Sequence, residues 1–151
     1  MDTRDGAPTR SDFRRFRQIA TRWMDNDVYG HVNNVVYYSY FDTAVNGYLL
    51  EATAADIRQL PAIGVVAETG CRFFSSISFP DVLDIGLAVE RLGRSSIVYR
   101  LGVFRAGVAE SAAAGRFVHV YVDQATRRAV AVPDVIRAAV APLLADQTVR
   151  P

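Results

Sequence analysis

Val35-Val36-Tyr37-Tyr38-Ser39-Tyr40-Phe41-Asp42-Thr43-Ala44-Val45-Asn46-Gly47-Tyr48-Leu49-Leu50-Glu51-Ala52-Thr53 is the stretch whose reading decides the fold. Its β-branched and aromatic opening, Val35 to Tyr38, taken alone suits a strand. The polar residues decide otherwise: Ser39, Asp42, Thr43, Asn46 and Glu51 recur at helical spacing and gather into one narrow stripe. The rest of the circumference is Val, Tyr, Phe, Leu and Ala. A helix apolar over most of its surface must be wrapped on several sides. Asn33 or Asn34 can cap its start, because an Asn side chain accepts a bond from an otherwise orphaned backbone N–H. Gly47 costs about 1 kcal/mol in helix propensity, so its small size is expected to serve close packing.

Outward from this helix the chain reads as strands. Phe13 to Trp23 alternates loosely enough for a first strand, and Asp25-Asn26-Asp27-Val28-Tyr29-Gly30 is a turn or loop. After the helix, Ile63 to Ile77 is long and β-rich, with a bend expected at Gly70. Leu83, Ile85, Leu87 and Val89 alternate with Asp84, Gly86, Ala88 and Glu90, the pattern of a half-buried strand. Leu92 to Ser95 turns the chain into Ile97–Phe104, followed by Arg116–Asp123, a turn at 123–128 and Ala129–Val132. Pro133 starts a short helix, Asp134–Val140. The order is strand, helix, then four or more strands, an α+β class in which one antiparallel sheet wraps around one long central helix. Residues 1–12 read as a disordered lead-in, 13–145 as one domain and 146–151 as a tail.

Composition closes many routes to chemistry. Seventeen basic residues against sixteen acidic ones give a net charge of +1, which argues against a general nucleic-acid binder. All the basic residues are arginine, so Schiff-base chemistry and a P-loop lysine are excluded. One cysteine, Cys71, permits no internal disulfide and no cysteine-cluster zinc site. His31 and His119 supply only part of a metal site. No serine sits in a Gly-x-Ser-x-Gly elbow; Gly93-Arg94-Ser95-Ser96-Ile97 fails at its last position. Carboxylate chemistry remains. No run reaches the length of a membrane span, and the polar start has no apolar secretory stretch, so a cytoplasmic location is expected.

The decapeptide Asp25-Asn26-Asp27-Val28-Tyr29-Gly30-His31-Val32-Asn33-Asn34, set between strand and helix, resembles the 4-hydroxybenzoyl-CoA thioesterase-like family of hotdog-fold proteins. The match continues through Tyr37, Tyr40 and Phe41. It returns at Pro80 to Ile85, at Leu92 to Ile97 and at Val132-Pro133, covering about residues 14 to 135. The resemblance implies a homodimer or homotetramer with sites at subunit interfaces. It also implies hydrolysis of an acyl- or aroyl-CoA thioester without metal or organic cofactor, coenzyme A being part of the substrate.

Asp27 matches the family's catalytic aspartate. A carboxylate there can attack the thioester carbonyl directly, giving a mixed anhydride, or deprotonate the attacking water. The plain alternative is that Asp27 caps a turn. Asp25 is expected to be the turn residue. His31 has two open readings, contact with the thioester or Asp27, and a structural bond within its loop. The backbone N–H groups from Val32 to Asn34 lack intrahelical partners, so Asn33 and Asn34, or neighbours across the dimer, are candidate oxyanion donors. Arg94, Ser95 and Ser96 match a turn that contacts the nucleotide in the family, and Arg128 matches another position near it; coenzyme A phosphates need such donors. Tyr29, Tyr37 and Phe73 are candidates for an acyl or aryl pocket. His119 reads as a surface or interface residue, and Glu68 with Arg72 as an ion pair. A hotdog fold does not dictate hydrolysis. The rival readings are an acyl-thioester hydratase or dehydratase and a non-catalytic acyl-CoA-binding protein.

Overall fold

The computed structural model describes residues 6–145. The apolar segment is helix α1, Val36–Thr53. It follows strand β1 (Arg15–Ala20) and precedes β2 (Ala62–Phe73), β3 (Val82–Leu92), β4 (Ser96–Arg105) and β5 (Ser111–Asp123), with a short helix α2 over Asp134–Val140. The strands form one antiparallel sheet in the order β1-β3-β4-β5-β2. This is the expected architecture, one sheet on one long helix.

The sheet and α2 bury most of α1. Phe41, Val45 and Leu49 are at most 1 % exposed and share a core with Ile85, Leu101, Val103, Phe117 and Tyr121 of the sheet and Ile136 and Val140 of α2. Each such side chain contributes about 1.5–3 kcal/mol on burial. Gly115 on β5 has no Cβ because the Phe41 ring lies where one would stand. Gly47 does serve close packing: a Cβ there would fall 2.6 Å from Arg17 Cζ, and the guanidinium crosses the helix at this point to pair with Glu51 at 2.8 Å.

The helix start is capped one step early. Asn33 Oδ1 accepts from the Val35 N–H at 3.3 Å and the Asn33 carbonyl from Val36 at 2.9 Å, while Val35 itself is the capping residue.

Several boundaries move. β1 begins at Arg15 because Phe13 leaves the strand and packs with Ala88 and Phe104 on the sheet face away from α1, over Gly86 and Gly102. Residues 10–12, expected in a lead-in, form a 3₁₀ turn; Arg10 donates to the Val108 and Arg105 carbonyls and pairs with Asp84 at 3.0 Å. Residues 1–5 and the tail 146–151 lie outside the described residues. β2 is irregular between Val66 and Glu68, whereas Gly70 stays in register with Arg116. β5 begins at Ser111, five residues before the expected Arg116. Residues 129–132 make only one isolated bridge, Val122 to Ala129. Asp134–Val140 agrees with expectation.

Candidate active site

β1 ends at Ala20 opposite Val82, and the chain then runs through the loop 21–35 before entering α1. Asp27-Val28-Tyr29-Gly30 is a tight turn at its tip. The Gly30 N–H donates to the Asp27 carbonyl at 3.1 Å, and Gly30 sits at φ +82°, a conformation that favours glycine. Asp27 Oδ1 accepts from the Tyr29 N–H at 2.8 Å, and the Asp27 N–H donates to the His31 carbonyl at 2.9 Å. Asp27 therefore does cap a turn, and its half-buried carboxylate is bonded through Oδ1 to backbone alone. Such a bond needs an oxygen acceptor, not a charge.

The turn is strapped to residues 77–79. Ser78 Oγ donates to the Gly30 carbonyl at 2.7 Å, the Phe79 N–H to Asn26 Oδ1 at 3.0 Å, and the Val32 N–H to the Ile77 carbonyl at 2.7 Å.

Asp25, expected to be the turn residue, is instead a buried anchor, 1 % exposed. Its carboxylate accepts from the Arg22 N–H at 2.9 Å and the Tyr40 hydroxyl at 2.8 Å, and pairs with the Arg22 guanidinium at 2.9 Å. Burial opposes ionisation of Asp25. The Arg22 N–H, the Tyr40 hydroxyl and the Arg22 guanidinium outweigh it and hold the carboxyl below the usual range. Tyr40, Arg22, Asn26 and Ser78 hold the loop in place, contacts that sequence reasoning missed. The available signal was the presence of Asn26 and Tyr40 within the family match, which names the residues and not their contacts.

Hydrogen bonding corrects the oxyanion expectation at Asn33. The Val32 N–H is taken by Ile77, and the Asn33 N–H donates to the Asp25 carbonyl at 2.9 Å, so the Asn33 backbone N–H is not free for an oxyanion. The Asn34 N–H donates to no described group. The His31 side chain is exposed, and its backbone carbonyl, not its imidazole, meets Asp27. His31 and Asn34 stand at the lip of a cavity of about 290 Å³ that Tyr37, Phe73, Phe74 and Ile77 also line. Tyr37 meets Phe73 edge to face at 4.9 Å, and burial, with a smaller effect of Cys71, pushes its hydroxyl up to about 12. Tyr29, by contrast, is 84 % exposed and lines no wall of this cavity.

Arg94, Ser95, Ser96 and Arg128 gather at the opposite end of the sheet. The β3–β4 turn carries Arg94 and Ser95, Ser96 opens β4, and the Val132 N–H donates to the Arg94 carbonyl at 2.8 Å, joining the turn to the segment that follows Arg128. Arg94 and Arg128 are exposed. The length of β3 separates this cluster from the Asp27 loop by roughly 30 Å at the usual rise per residue. One chain therefore does not bring these arginines and the Asp27 loop together.

Two side chains lie elsewhere than expected. His119 is 2 % exposed, no surface residue, because it faces α1 among Tyr99, Phe117 and Tyr121. Glu68 pairs with Arg116 on the neighbouring strand, not with Arg72, since cross-strand reach wins over spacing along one strand. Among the described residues no three His, Cys, Asp or Glu side chains gather as metal ligands, and no helix is long and apolar enough to cross a membrane.

Comparison with known proteins fits this geometry. The PA5185 protein of Pseudomonas aeruginosa is 48 % identical, with 93 % of this chain and 98 % of that chain covered and a TM-score of 0.89. PA2801 of the same species is 30 % identical over 83 % of this chain and 97 % of its own, with a TM-score of 0.75. The 1,4-dihydroxy-2-naphthoyl-CoA thioesterase Slr0204 of Synechocystis, 15 % identical over 85 % of this chain and 96 % of its own at a TM-score of 0.78, shares the hotdog fold. No curated protein matches the sequence. The family description that matches, over residues 21–140, agrees with the fold and with the loop motif: the chain belongs to the thioesterase-like superfamily.

Proposed function

We propose that the protein hydrolyses an acyl- or aroyl-CoA thioester to the free acid and coenzyme A, with Asp27 as nucleophile or general base. The observation that carries this reading is the Asp27 carboxylate, bonded by one backbone N–H at the tip of a turn that Ser78 and Asn26 hold in place. The carboxylate attacks the thioester carbonyl, or takes a proton from the water that does. The tetrahedral oxyanion accepts a hydrogen bond from the Asn34 N–H. The C–S bond then breaks, and the leaving coenzyme A thiolate is protonated, by Asp27 in the water route and by solvent in the covalent one. In the covalent route water hydrolyses the anhydride and restores Asp27. No metal or organic cofactor enters this scheme.

The reading extends to assembly. Arg94, Ser95, Ser96 and Arg128 hold the nucleotide phosphates of a substrate whose thioester lies at Asp27 of a second copy. β2 is an edge strand bearing the exposed Val65, Val66 and Phe73, and an edge of that length invites pairing. Antiparallel pairing of two such edges brings opposite ends of the sheets together.

Thiol release from a panel of acyl-CoAs tests the chemistry. Asp27→Asn preserves the acceptor that the turn needs and removes the charge. It is expected to lower kcat by roughly a hundredfold or more with little change in Tm. A near-parental rate would move the catalytic carboxylate elsewhere.

A further inference from the structure

Beneath the second half of α1 lies a cavity that the thioester reading does not use. It measures about 260 Å³, larger than the ~150 Å³ apolar cavity that admits benzene in an engineered protein. Leu49, Leu60, Ile63 and Ile136 are its walls, and His119 and Tyr121 of β5 line it as well. Gly64 sets no side chain against the imidazole; a Cβ there would stand 3.0 Å from His119 Nδ1 and 3.1 Å from Tyr121 Cζ.

His119 Nδ1 has no hydrogen-bond partner among the described residues. A buried polar atom left without a partner is a cost that a bound group can relieve. The rim offers no uncommitted charge: Arg58 is engaged at two points by Asp56, at 2.9 and 3.0 Å, and Asn46 donates to Asp42.

We propose that this cavity binds a small neutral ring compound whose single hydroxyl hydrogen-bonds with the His119 imidazole. Apolar walls penalise an anion. Burial, opposed weakly by Asp42, lowers the His119 pKa to about 4, so the ring meets its ligand uncharged. The inference stands apart from the thioester reading, because neither Asp27 nor an acyl-CoA takes part in it.

The chain has two histidines, so long-range proton–nitrogen spectra report each imidazole separately, with His31→Gln fixing the assignment. Phenol or cyclohexanol should shift the His119 ring nitrogens saturably, with a dissociation constant on the order of 1 mM. The two compounds distinguish a phenolic from an aliphatic hydroxyl. Toluene should bind about tenfold more weakly, the worth of one hydrogen bond, and benzoate should leave His119 unchanged. Leu60→Trp, at the half-buried wall, should abolish the response, with Ile63→Phe as the second block if the first variant does not fold. Silence of His119 toward both hydroxyl compounds at about 10 mM would overturn the proposal. So would a toluene response equal to that of phenol, or a full response in a folded block variant.

Discussion

The Tyr40 hydroxyl donates to the Asp25 carboxylate at 2.8 Å, tying the first turns of α1 to the loop that presents Asp27. Bonds to a buried charge are worth more than neutral ones. Tyr40→Phe is therefore expected to cost about 1.5–3 kcal/mol in urea unfolding near pH 7. The Asp25 carboxyl titrates below its ordinary value in the folded state, so its stabilisation is present above the ordinary carboxylate range and disappears as pH falls through the folded pKa. Removing the hydroxyl narrows that gap. The acid limb of the stability profile should be shallower in Tyr40→Phe than in the parent, and an unchanged limb would show that Arg22 alone sets the shift.

His119 gives a second pH dependence at a higher range. Its folded pKa is about 4 because burial disfavours the imidazolium, while an unfolded histidine titrates near ~6.5. The unfolded chain binds the proton first. Stability is therefore full above pH ~6.5 and falls as pH drops towards the folded value, by about 3 kcal/mol in all. Denaturant midpoints between neutral pH and the acid range measure it. His119→Gln should flatten this segment of the profile.

Gly47 within α1 and Gly115 on β5 respond in opposite directions. At Gly47 an added methyl meets the end of the flexible Arg17 side chain, which can swing away. Gly47→Ala should raise stability by about 0.5 kcal/mol, the gain in helix propensity less the exposed Arg17–Glu51 pair. At Gly115 the methyl meets the Phe41 ring, which is 0 % exposed and has nowhere to go. Gly115→Ala should destabilise by about 1–3 kcal/mol. Thermal melts of the two variants separate these outcomes.

The helix was legible because its polar stripe has a helical period that no strand can produce, and α2 because Pro133 marks its start. The start of β5 was not. Ala112, Ala113 and Ala114 are poor strand formers on their own and are held in the ladder by β4 and β2. At the candidate site, the motif pointed to Asp27 and His31, but the contacts of neighbouring groups depend on residues distant in sequence. Asp25 reads as a turn residue until Tyr40 is seen against it, and Asn33 as an oxyanion donor until its N–H is seen on Asp25. His119 sits in an alternating strand whose buried side faces α1. Nothing in the alternation says which side is buried.

The distance between the Asp27 loop and the arginine turns yields the final prediction. If one substrate spans Asp27 of one copy and Arg94 with Arg128 of another, two defective chains can repair each other. Arg94→Ala should raise KM for acyl-CoA more than it lowers kcat, and a pantetheine thioester without nucleotide phosphates should be handled almost as well as by the parent. Asp27→Asn should fail on both substrates. When the two chains are unfolded together and refolded as a mixture, half of the dimers are mixed, and each has one site with Asp27 and both arginines intact. At low acyl-CoA the mixture should recover about a quarter of the parental rate, as follows from random pairing in a two-fold assembly. Each variant refolded alone should stay defective. A mixture no faster than the average of its components would confine each site to a single chain, and Arg94 and Arg128 would then be solvated turn residues.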